Sequence, residues 1–534
     1  MKYTIVICVV TSLLIAGCGK SKSQKESPAP PTVSEVTAES PKPSPEPTPL
    51  AETPTQVTGK SVTPDTIVIL VSQAVESLDP YLMTTRNPEG SVAAHIWDTL
   101  VWINDDLALE PHLAESWRLV NDTIWEFKLR SDVAFQNGEA FNAAAVKFSI
   151  ERAAQLEGGM ETFAADIGLQ KVEVIDDDTV RLITGQADVS VPYRLASVEI
   201  LPPAHYGSGA KDLAPIGSGP YRFLRQENDG SVILKANPDY WQGPPLLPEL
   251  VFRPVVDPVA RSMRLLDGEA QLISGLSPDQ IEALETDDTR VEIIESTRRL
   301  FIGIRADANS PLGDKRVRQA LNYAVDVKAL VTDLVGGYGQ RYGSWVNPPH
   351  NLDTLAPWPY APDTAQDMLA EAGYPDGFQT MLDTPIDRYY QDQAIAHAIA
   401  EQLAQVGIQI QIQPYEWSDY VRNRLIPKET APLFLLGLAS RGNGWDDTAN
   451  LAVNFPFNPT LWYDDEFERL VAQARATFSD TQRQELLNQA QAIAYEQAPW
   501  IWLWRPYDFY GVALWLDWKP RADGLVYLYQ VSAR

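Results

Sequence analysis

A proline-rich stretch near the start of the chain most restricts what this sequence can fold into. Ten prolines fall between Pro28 and Pro64, and residues 41–49 read PKPSPEPTP, with proline at every second position. Such a segment has few apolar residues and favours extended polyproline conformations, so it cannot build a hydrophobic core. We therefore interpret residues 18–60 as a disordered tether and expect the folded body to follow it.

An apolar run precedes the tether. It extends from Ile5 to Ile15 and is followed by two small residues and Cys18. The run is too short to span a bilayer, but it suits the hydrophobic region of a signal peptide. Small residues before a cysteine resemble the lipobox of bacterial lipoproteins, and this resemblance implies removal of residues 1–17 and lipid attachment at Cys18. An ordinary secretion signal with an incidental cysteine is the alternative.

The charge balance argues against nucleic acid as a partner. The chain has 43 Lys and Arg against 71 Asp and Glu, a net charge of −28. Nucleic-acid binding depends on neutralising phosphates with basic residues, and a basic membrane-binding face needs the same residues. We therefore expect no nucleic acid partner, and membrane contact through the N-terminal lipid only.

Local patterns predict a body that mixes strands and helices. Residues 66–71 (TIVILV) form a short apolar run typical of a buried strand. Apolar residues recur at helical spacing from Val317 to Val331, after Asp314, which is a suitable N-cap residue.

A helix–glycine–strand pattern predicts an α/β unit. Residues 395–406 carry apolar side chains at helical spacing, Gly407 is a suitable helix stop, and isoleucine then alternates with glutamine over residues 408–412. Because this order is characteristic of α/β architectures, we predict an α/β fold.

The sequence has none of the catalytic motifs considered for a chain of this kind. The sequence contains no HExxH, GxSxG, Walker or dinucleotide-binding motif, and its five histidines are not spaced as metal ligands. We therefore predict no catalytic residues, no metal, no cofactor and no enzymatic activity. A secreted hydrolase that uses a pair of carboxylates is the alternative from another class of protein, since acidic residues are abundant.

A set of short motifs resembles the extracellular solute-binding proteins of family 5, the peptide, dipeptide and nickel receptors of ABC importers. In chain order the motifs are SLDP (77–80), EPHLAESW (110–117), WEFKLR (125–130), FQNGE (135–139), GSGPY (217–221), NPDYW (237–241), VRQALNYAVD (317–326) and AYEQAPW (494–500). Each motif alone is weak, but their order along the chain follows that of the family.

The resemblance implies a type II periplasmic-binding-protein fold, with three domains and a hinged ligand cleft. By family anatomy, domain I would comprise residues 61–96, 214–303 and 501–534, domain II residues 97–213, and domain III residues 304–500. The ligand would lie between domains I and III, with hinge segments near residues 303 and 500.

The implied function is that of a lipid-anchored, extracytoplasmic substrate-binding protein of an ABC importer. It would act as a monomer, capture oligopeptides or dipeptides, and deliver them to a permease and ATPase complex in the membrane. An oligosaccharide, a nickel complex or another small solute is the alternative ligand.

One loop carries most of the predicted ligand contacts. Peptide-binding relatives pair the α-amino group of the ligand with an aspartate in a G-W-x-x-D loop, which corresponds to residues 437–447 (GLASRGNGWDD) here. An ungapped register places Leu438 and Arg441 at the tryptophan and aspartate positions, whereas a longer loop gives these roles to Trp445 and Asp446. Both registers remain open at this point.

An arginine in this loop would change the ligand chemistry. If Arg441 faces the cleft, an anionic group is the favoured partner, because a guanidinium binds carboxylates through two parallel hydrogen bonds. The alternative is an arginine at the rim that bridges to a neighbouring aspartate. The complete set of predicted ligand-binding residues is Glu76, Ser77, Leu78, Leu438, Ser440, Arg441, Asn443, Trp445, Asp446, Trp504 and Arg505.

Overall fold

The computed structural model describes residues 65–83, 85–155, 168–208, 213–307, 309–440 and 442–532. These residues belong to the second of the two units of the chain, Thr63–Arg534. The predicted leader and tether, with Cys18, lie outside the described residues, and so does Arg441.

Strands run through the whole described body. In chain order they are β1 Thr66–Val71, β2 Val101–Ile103, β3 Leu109–Pro111, β4 Ala114–Asn121, β5 Ile124–Leu129, β6 Leu169–Asp176, β7 Thr179–Thr184, β8 Tyr221–Gln226, β9 Val232–Ala236, β10 Glu249–Pro254, β11 Leu272–Ser274, β12 Thr289–Glu295, β13 Arg299–Ile304, β14 Gly339–Arg341, β15 Phe378–Pro385, β16 Ile408–Tyr415, β17 Leu433–Leu438, β18 Trp500–Trp502 and β19 Trp504–Ala513.

Helices are concentrated in the second half of the chain. They are α1 Ser91–Ile96, α2 Ala143–Gln155, α3 Val191–Leu195, α4 Pro203–Tyr206, α5 Pro258–Leu266, α6 Ile281–Leu284, α7 Lys315–Ala324, α8 Val327–Leu334, α9 Pro362–Glu371, α10 Asp392–Ala404, α11 Trp417–Tyr420, α12 Gly444–Ala449, α13 Asp465–Arg475 and α14 Asp480–Gln497.

The first large sheet has the strand order β12-β19-β11-β1-β10-β9-β8. Its central strand β1 pairs in parallel with β10 and β11, and the remaining pairs along this path are antiparallel. β1 spans Thr66–Val71, as the apolar run predicted. A four-stranded antiparallel sheet, β4-β5-β7-β6, shares one continuous hydrophobic core with this sheet, because buried residues of both belong to the same cluster.

The second large sheet has the order β16-β15-β17-β13-β18. β15 pairs in parallel with β16 and β17, while β13 runs antiparallel to β17 and β18. Alternate residues of β17 enter different hydrophobic clusters, so both faces of the sheet are covered. Because Arg299 at the start of β13 pairs with Leu438 at the end of β17, the start of β13 lies at the edge where the parallel strands end.

The chain passes repeatedly between the two large sheets, because β14 pairs with β19 of the first sheet whereas β13 and β15 belong to the second. β12 of the first sheet ends at Glu295 and β13 of the second begins at Arg299, and the chain returns between β18 and β19 at Leu503. The predicted boundaries at 303/304 and 500/501 therefore fall inside β13 and β18. The division into three domains stays a prediction.

The predicted helix after Asp314 is two helices. Asp314 is the N-cap, and its carboxylate accepts the N–H of Arg316 at 2.8 Å. Val325 then leaves the helical conformation, and Asp326 caps the second helix by accepting the N–H of Ala329 at 3.0 Å. The apolar spacing continues across this break, and it therefore did not reveal the break.

A buried histidine joins helix α1 to the C-terminal segment. The side chain of His95 has no exposed surface. Its Nδ1–H donates to the carbonyl of Ser91 at 2.6 Å, and its Nε2 accepts the N–H of Leu528 at 3.0 Å. Burial lowers the pKa of His95 to about 4, against the opposing effect of the hydrogen bond to Ser91.

This histidine should make the folded state sensitive to acid. Its pKa is lower in the folded protein than in the unfolded chain, so the unfolded state binds the proton first. We expect neutral His95 to make its full contribution to the free energy of unfolding above pH 6.5. That free energy should fall by about 3 kcal/mol as the pH decreases from 6.5 to 4. Urea unfolding of the wild type and of His95→Gln at several pH values tests this. The difference between the two free energies of unfolding should shrink across this window, and a constant difference would contradict the prediction.

Candidate functional site

The site candidate lies at the edge of the second sheet where β15 and β17 end. Ligands of α/β proteins commonly bind beyond the carboxyl ends of parallel strands, because the loops that leave there converge. Here the loop after β15 runs to helix α10, and the loop after β17 runs to helix α12.

Two arginines, which we call the cation pair, lie at this edge. Arg298 immediately precedes β13, and Arg388 follows β15. The guanidinium carbon of Arg388 lies 4.5 Å from the ring centroid of Trp417, and that of Arg298 lies 5.9 Å from the ring centroid of Tyr389. Burial lowers the pKa of Arg388, and the positive charge of Arg298 lowers it further.

The cation pair is rigidly supported. The buried carboxylate of Asp392 accepts the N–H groups of Arg388 and Tyr389 at 2.9 and 3.1 Å. The hydroxyl of Tyr389 in turn accepts the N–H of Gly437 at 2.8 Å, which ties the loop to the end of β17. A Cβ atom at Gly437 would lie only 3.0 Å from the Tyr389 ring and 3.1 Å from the side chain of Arg298, so glycine is needed for this close packing.

Neither member of the cation pair has an acidic partner within ion-pair distance among the residues that the structure describes. Burial raises the pKa of Asp508 in β19. The positive charge of Arg298 acts in the opposite direction, but its effect is smaller, so the pKa of Asp508 is raised overall. Two neighbouring cations with no described carboxylate at ion-pair distance from either guanidinium form a local excess of positive charge. The arrangement is therefore suited to an anionic group such as a carboxylate.

Three predicted ligand-binding residues of the loop after β17 lie at the start of helix α12, namely Asn443, Trp445 and Asp446. Asn443 caps helix α12 by accepting the N–H of Asp446 at 2.8 Å. The ring nitrogen of Trp445 donates to the carbonyl of Val471 at 2.9 Å. The carboxylate of Asp446 accepts hydrogen bonds from Arg194 at 2.7 Å and from Asn443, so it already has a cationic partner.

A buried ion pair secures this loop. Arg299 Nη1 lies 2.9 Å from Asp447 Oδ1, and both side chains are nearly inaccessible to solvent. Asp447 also accepts the hydroxyl of Ser440 at 2.8 Å and the N–H of Asn347 at 3.2 Å. Ser440 therefore orients Asp447, and its hydroxyl is used inside the protein.

The residues after β1 make internal contacts. The buried carboxylate of Glu89 accepts the N–H groups of Glu76 and Ser77 at 3.3 and 3.4 Å. Leu78 packs against the hydrophobic core of the first sheet. These hydrogen bonds stabilise the turn after the strand, and the predicted ligand contacts of these residues stay a prediction.

The two predicted residues of β19 also have structural partners. Trp504 is 1% exposed, and it packs so tightly on Gly339 that a Cβ atom there would lie 2.8 Å from its ring. Arg505 forms an ion pair with Glu295. Trp504 therefore belongs to the core, and Arg505 links β19 to the end of β12.

Other tryptophans of the C-terminal region are also buried. Trp500 stacks on Phe301 with ring centroids 3.6 Å apart, and Trp502 stacks on Trp345 with centroids 5.4 Å apart. These rings occupy the core, so they offer no flat surface for a sugar.

A cavity of about 460 Å³ lies beside the loop after β17. Three predicted ligand-binding residues, Leu438, Trp445 and Asp446, line it together. Arg194 and Arg475 line it as well, with guanidinium carbons 5.6 and 5.1 Å from the Trp445 ring. The structure thus brings three residues of the predicted set together in this lining. Among the described residues, it leaves Glu76, Ser77, Leu78, Ser440, Asn443, Trp504 and Arg505 outside the lining.

Sequence reasoning did not single out Arg298, Arg388, Tyr389 or Trp417. Residues 388–390 (RYY) lie between β15 and helix α10, and no strand before them was predicted from the sequence. No group of three or more His, Cys, Asp or Glu side chains suited to a metal ion occurs within the described ranges.

Comparison with solved structures defines the class of protein. The chain resembles HbpA2 from Haemophilus parasuis, with 25% identity, a TM-score of 0.75, and coverage of 88% of this chain and 100% of that one. A dipeptide-binding protein from Pseudoalteromonas sp. SM9913, solved with Met-Leu, has a TM-score of 0.77 at 22% identity, with coverage of 88% and 100%. The fold is the α/β fold of type II periplasmic binding proteins, as predicted.

Sequence comparison identifies the family. Residues 108–458 match the bacterial extracellular solute-binding proteins, family 5. The glutathione-binding protein GsiB of Pectobacterium atrosepticum is 30% identical over 455 residues, which cover 82% of this chain and 88% of that protein. GsiB of Escherichia coli strain K12 is 30% identical over 454 residues with the same coverage. The chain belongs to family 5 of the bacterial extracellular solute-binding proteins, which confirms the predicted membership.

The described helices include none that is both long and apolar enough to cross a membrane. The relatives named above are binding proteins, and family membership makes this chain a solute-binding protein.

Proposed function

We propose that this protein is the extracytoplasmic substrate-binding protein of an ABC importer and captures small peptides or peptide-like solutes through a carboxylate. The protein binds the solute in a cleft between domains I and III, closes around it, and delivers it to the permease and ATPase complex. It acts as a monomer without catalysing a reaction, and a lipid on Cys18 anchors it to the membrane.

The observation that carries this proposal is the cation pair. A carboxylate placed between Arg298 and Arg388 would receive charge-assisted hydrogen bonds where the protein supplies no acidic partner in the described part of the chain. The relatives support the choice of solute, because glutathione and the dipeptide Met-Leu each carry a free carboxylate. The α-amino partner of the peptide receptors has no free counterpart at Asp446, which Arg194 already holds at 2.7 Å.

Titration calorimetry with matched ligands tests the anion site. Glutathione, Met-Leu and Met-Leu with an amidated C-terminus should be titrated into the full chain, with the acid expected to bind more tightly than the amide. Arg388→Gln and Arg298→Gln should each weaken binding of the acid by about 10- to 100-fold, because each removes a charge-assisted hydrogen bond. The amide should lose much less.

Arg118→Gln is the matched control, since Arg118 is an exposed arginine whose side chain is 69% accessible. This variant should bind all three ligands as the wild type does. Equal binding of acid and amide, together with unchanged affinity in Arg388→Gln, would contradict the proposed anion site.

A thermal-shift screen with oligosaccharides and nickel tests the alternative ligands, because a bound ligand raises the melting temperature. A shift with sugars or nickel alone would overturn the peptide assignment and leave the receptor class standing.

A further inference from the structure

The cavity beside the loop after β17 has an aromatic wall. Trp445, Phe455 and Phe457 line it, and the rings of Phe455 and Phe457 meet edge to face with centroids 6.3 Å apart. Its volume of about 460 Å³ lies within the range of small-molecule pockets, about 300–1,000 Å³. The cavity can therefore hold a side chain or a molecule of similar size.

The two arginines in the wall are neutralised inside the protein. Arg194 lies 2.7 Å from Asp446, and Arg475 lies 2.7 Å from Asp188. The first ion pair joins helix α3 to helix α12, and the second joins the segment before α3 to helix α13. These cations are therefore poor candidates to attract an anionic ligand.

One carboxylate of the wall remains without a cation. Glu468 of helix α13 is half-buried, and one of its oxygens accepts the N–H of Val453 at 2.8 Å. Among the described residues, no Lys, Arg or His side chain lies within ion-pair distance of it. Burial raises the pKa of Glu468. A partly buried carboxylate without a cationic partner is costly, and a ligand cation would offset that cost.

We propose that this cavity is a ligand subsite for an ammonium or guanidinium group on an apolar stem, as in a lysine or arginine side chain. The cation pairs with Glu468, and the stem lies against Phe455 and Phe457, whose rings also attract a cation. This inference rests on the proposed function, because it assigns one part of the captured solute. It makes the receptor selective for basic solutes that also carry a carboxylate.

Matched tripeptides test the subsite. Lys-Ala-Ala, Ala-Lys-Ala and Ala-Ala-Lys should be compared by calorimetry with the same peptides in which norleucine replaces lysine, since norleucine keeps the apolar stem and lacks the ammonium. At least one lysine peptide should bind the wild type about tenfold more tightly than its norleucine counterpart, the effect of about one charge-assisted hydrogen bond. Glu468→Gln should abolish this preference and leave the norleucine peptides unchanged.

Glu466→Gln is the matched control, because Glu466 lies two residues away on the same helix and pairs with Arg469 at the surface. It should keep the lysine preference. The absence of a lysine preference in the wild type, or its survival in Glu468→Gln, would overturn the subsite while leaving the anion site intact. Conversely, Glu468→Gln could abolish the lysine preference while Arg298→Gln and Arg388→Gln leave the affinity unchanged. This result would overturn the anion site and support the subsite.

A free amine tests the cavity even if no peptide binds. Ligand-observed NMR with pentylamine should detect binding to the wild type, and pentan-1-ol is the neutral control of equal length. Pentylamine binding should weaken about tenfold in Glu468→Gln, while pentan-1-ol should be unaffected. Equal pentylamine binding by the two proteins, or none by the wild type, would overturn the proposal.

Discussion

Replacing Asp447 with alanine is expected to lower the free energy of unfolding by about 3–5 kcal/mol, because it leaves the buried Arg299 without a counter-charge. The side chain of Arg299 is fully buried, and that of Asp447 is 4% exposed. The variant also removes the acceptor for Ser440 and Asn347. The loop that precedes helix α12 should therefore lose order as well as stability.

Urea unfolding followed by tryptophan fluorescence measures the effect. Asp239→Ala is the control, since Asp239 pairs with Arg222 at the surface and its side chain is 81% exposed, where an ion pair contributes about 0–1 kcal/mol. The double variant Arg299→Met with Asp447→Leu should recover much of the loss, because apolar side chains of similar volume can replace a buried ion pair. A loss below about 1 kcal/mol in Asp447→Ala would show that Arg299 finds water or another partner.

Replacing Asp98 with alanine should cost about 3–5 kcal/mol as well, because several buried donors lose a shared acceptor. The carboxylate of Asp98 is 2% exposed. It accepts hydrogen bonds from Ser218 at 2.9 Å, Tyr240 at 3.1 Å and Trp241 at 3.0 Å. These bonds hold the segment after helix α1 against the turn before β8 and the loop after β9.

Asp98→Asn separates the geometric role of the side chain from its charge. Asparagine keeps one acceptor oxygen, so we expect it to retain part of the stability that alanine loses. Urea unfolding of the two variants and of the Asp239→Ala control gives the comparison. Equal losses in Asp98→Ala and Asp98→Asn would show that the negative charge supplies the stabilisation, whereas a negligible loss in both would contradict the role of Asp98 as a shared acceptor.

Local signals in the sequence were sufficient for many individual elements. The helix that follows Asp314 begins where its N-cap residue predicted, because the capping bond joins residues only two apart. Helix α10 and β16 are separated by a turn in which Gly407 has a φ of +89°, a conformation that glycine adopts readily. The predicted strands and helices of this kind depend on interactions within a few residues.

Local signals failed where two elements meet end to end. The apolar spacing from Val317 to Val331 is continuous, yet the chain is extended at Val325 and restarts a helix after Asp326. Spacing reports which face of a helix is buried, and two helices packed against the same core share that pattern. The break follows from packing and from the second cap.

The candidate site depended almost entirely on tertiary structure. Arg298 and Arg388 are separated by ninety positions in the sequence and approach each other only because β17 lies between β13 and β15. Trp504 was predicted to face a ligand, but the sequence could not show that Gly339 leaves space for its ring in the core.

The motifs along the chain were enough to identify the family and the α/β class, because both follow from the order of short segments that each fold by local rules. They could not identify which charges lack a partner. That property depends on every carboxylate and cation that the fold brings within a few ångströms. Asp446 and Arg505 each have a partner of opposite charge, whereas Glu468 and Arg388 have none among the described residues. Only the tertiary structure makes those distinctions, because the attraction between two charges depends on their distance and burial and not on their separation along the chain.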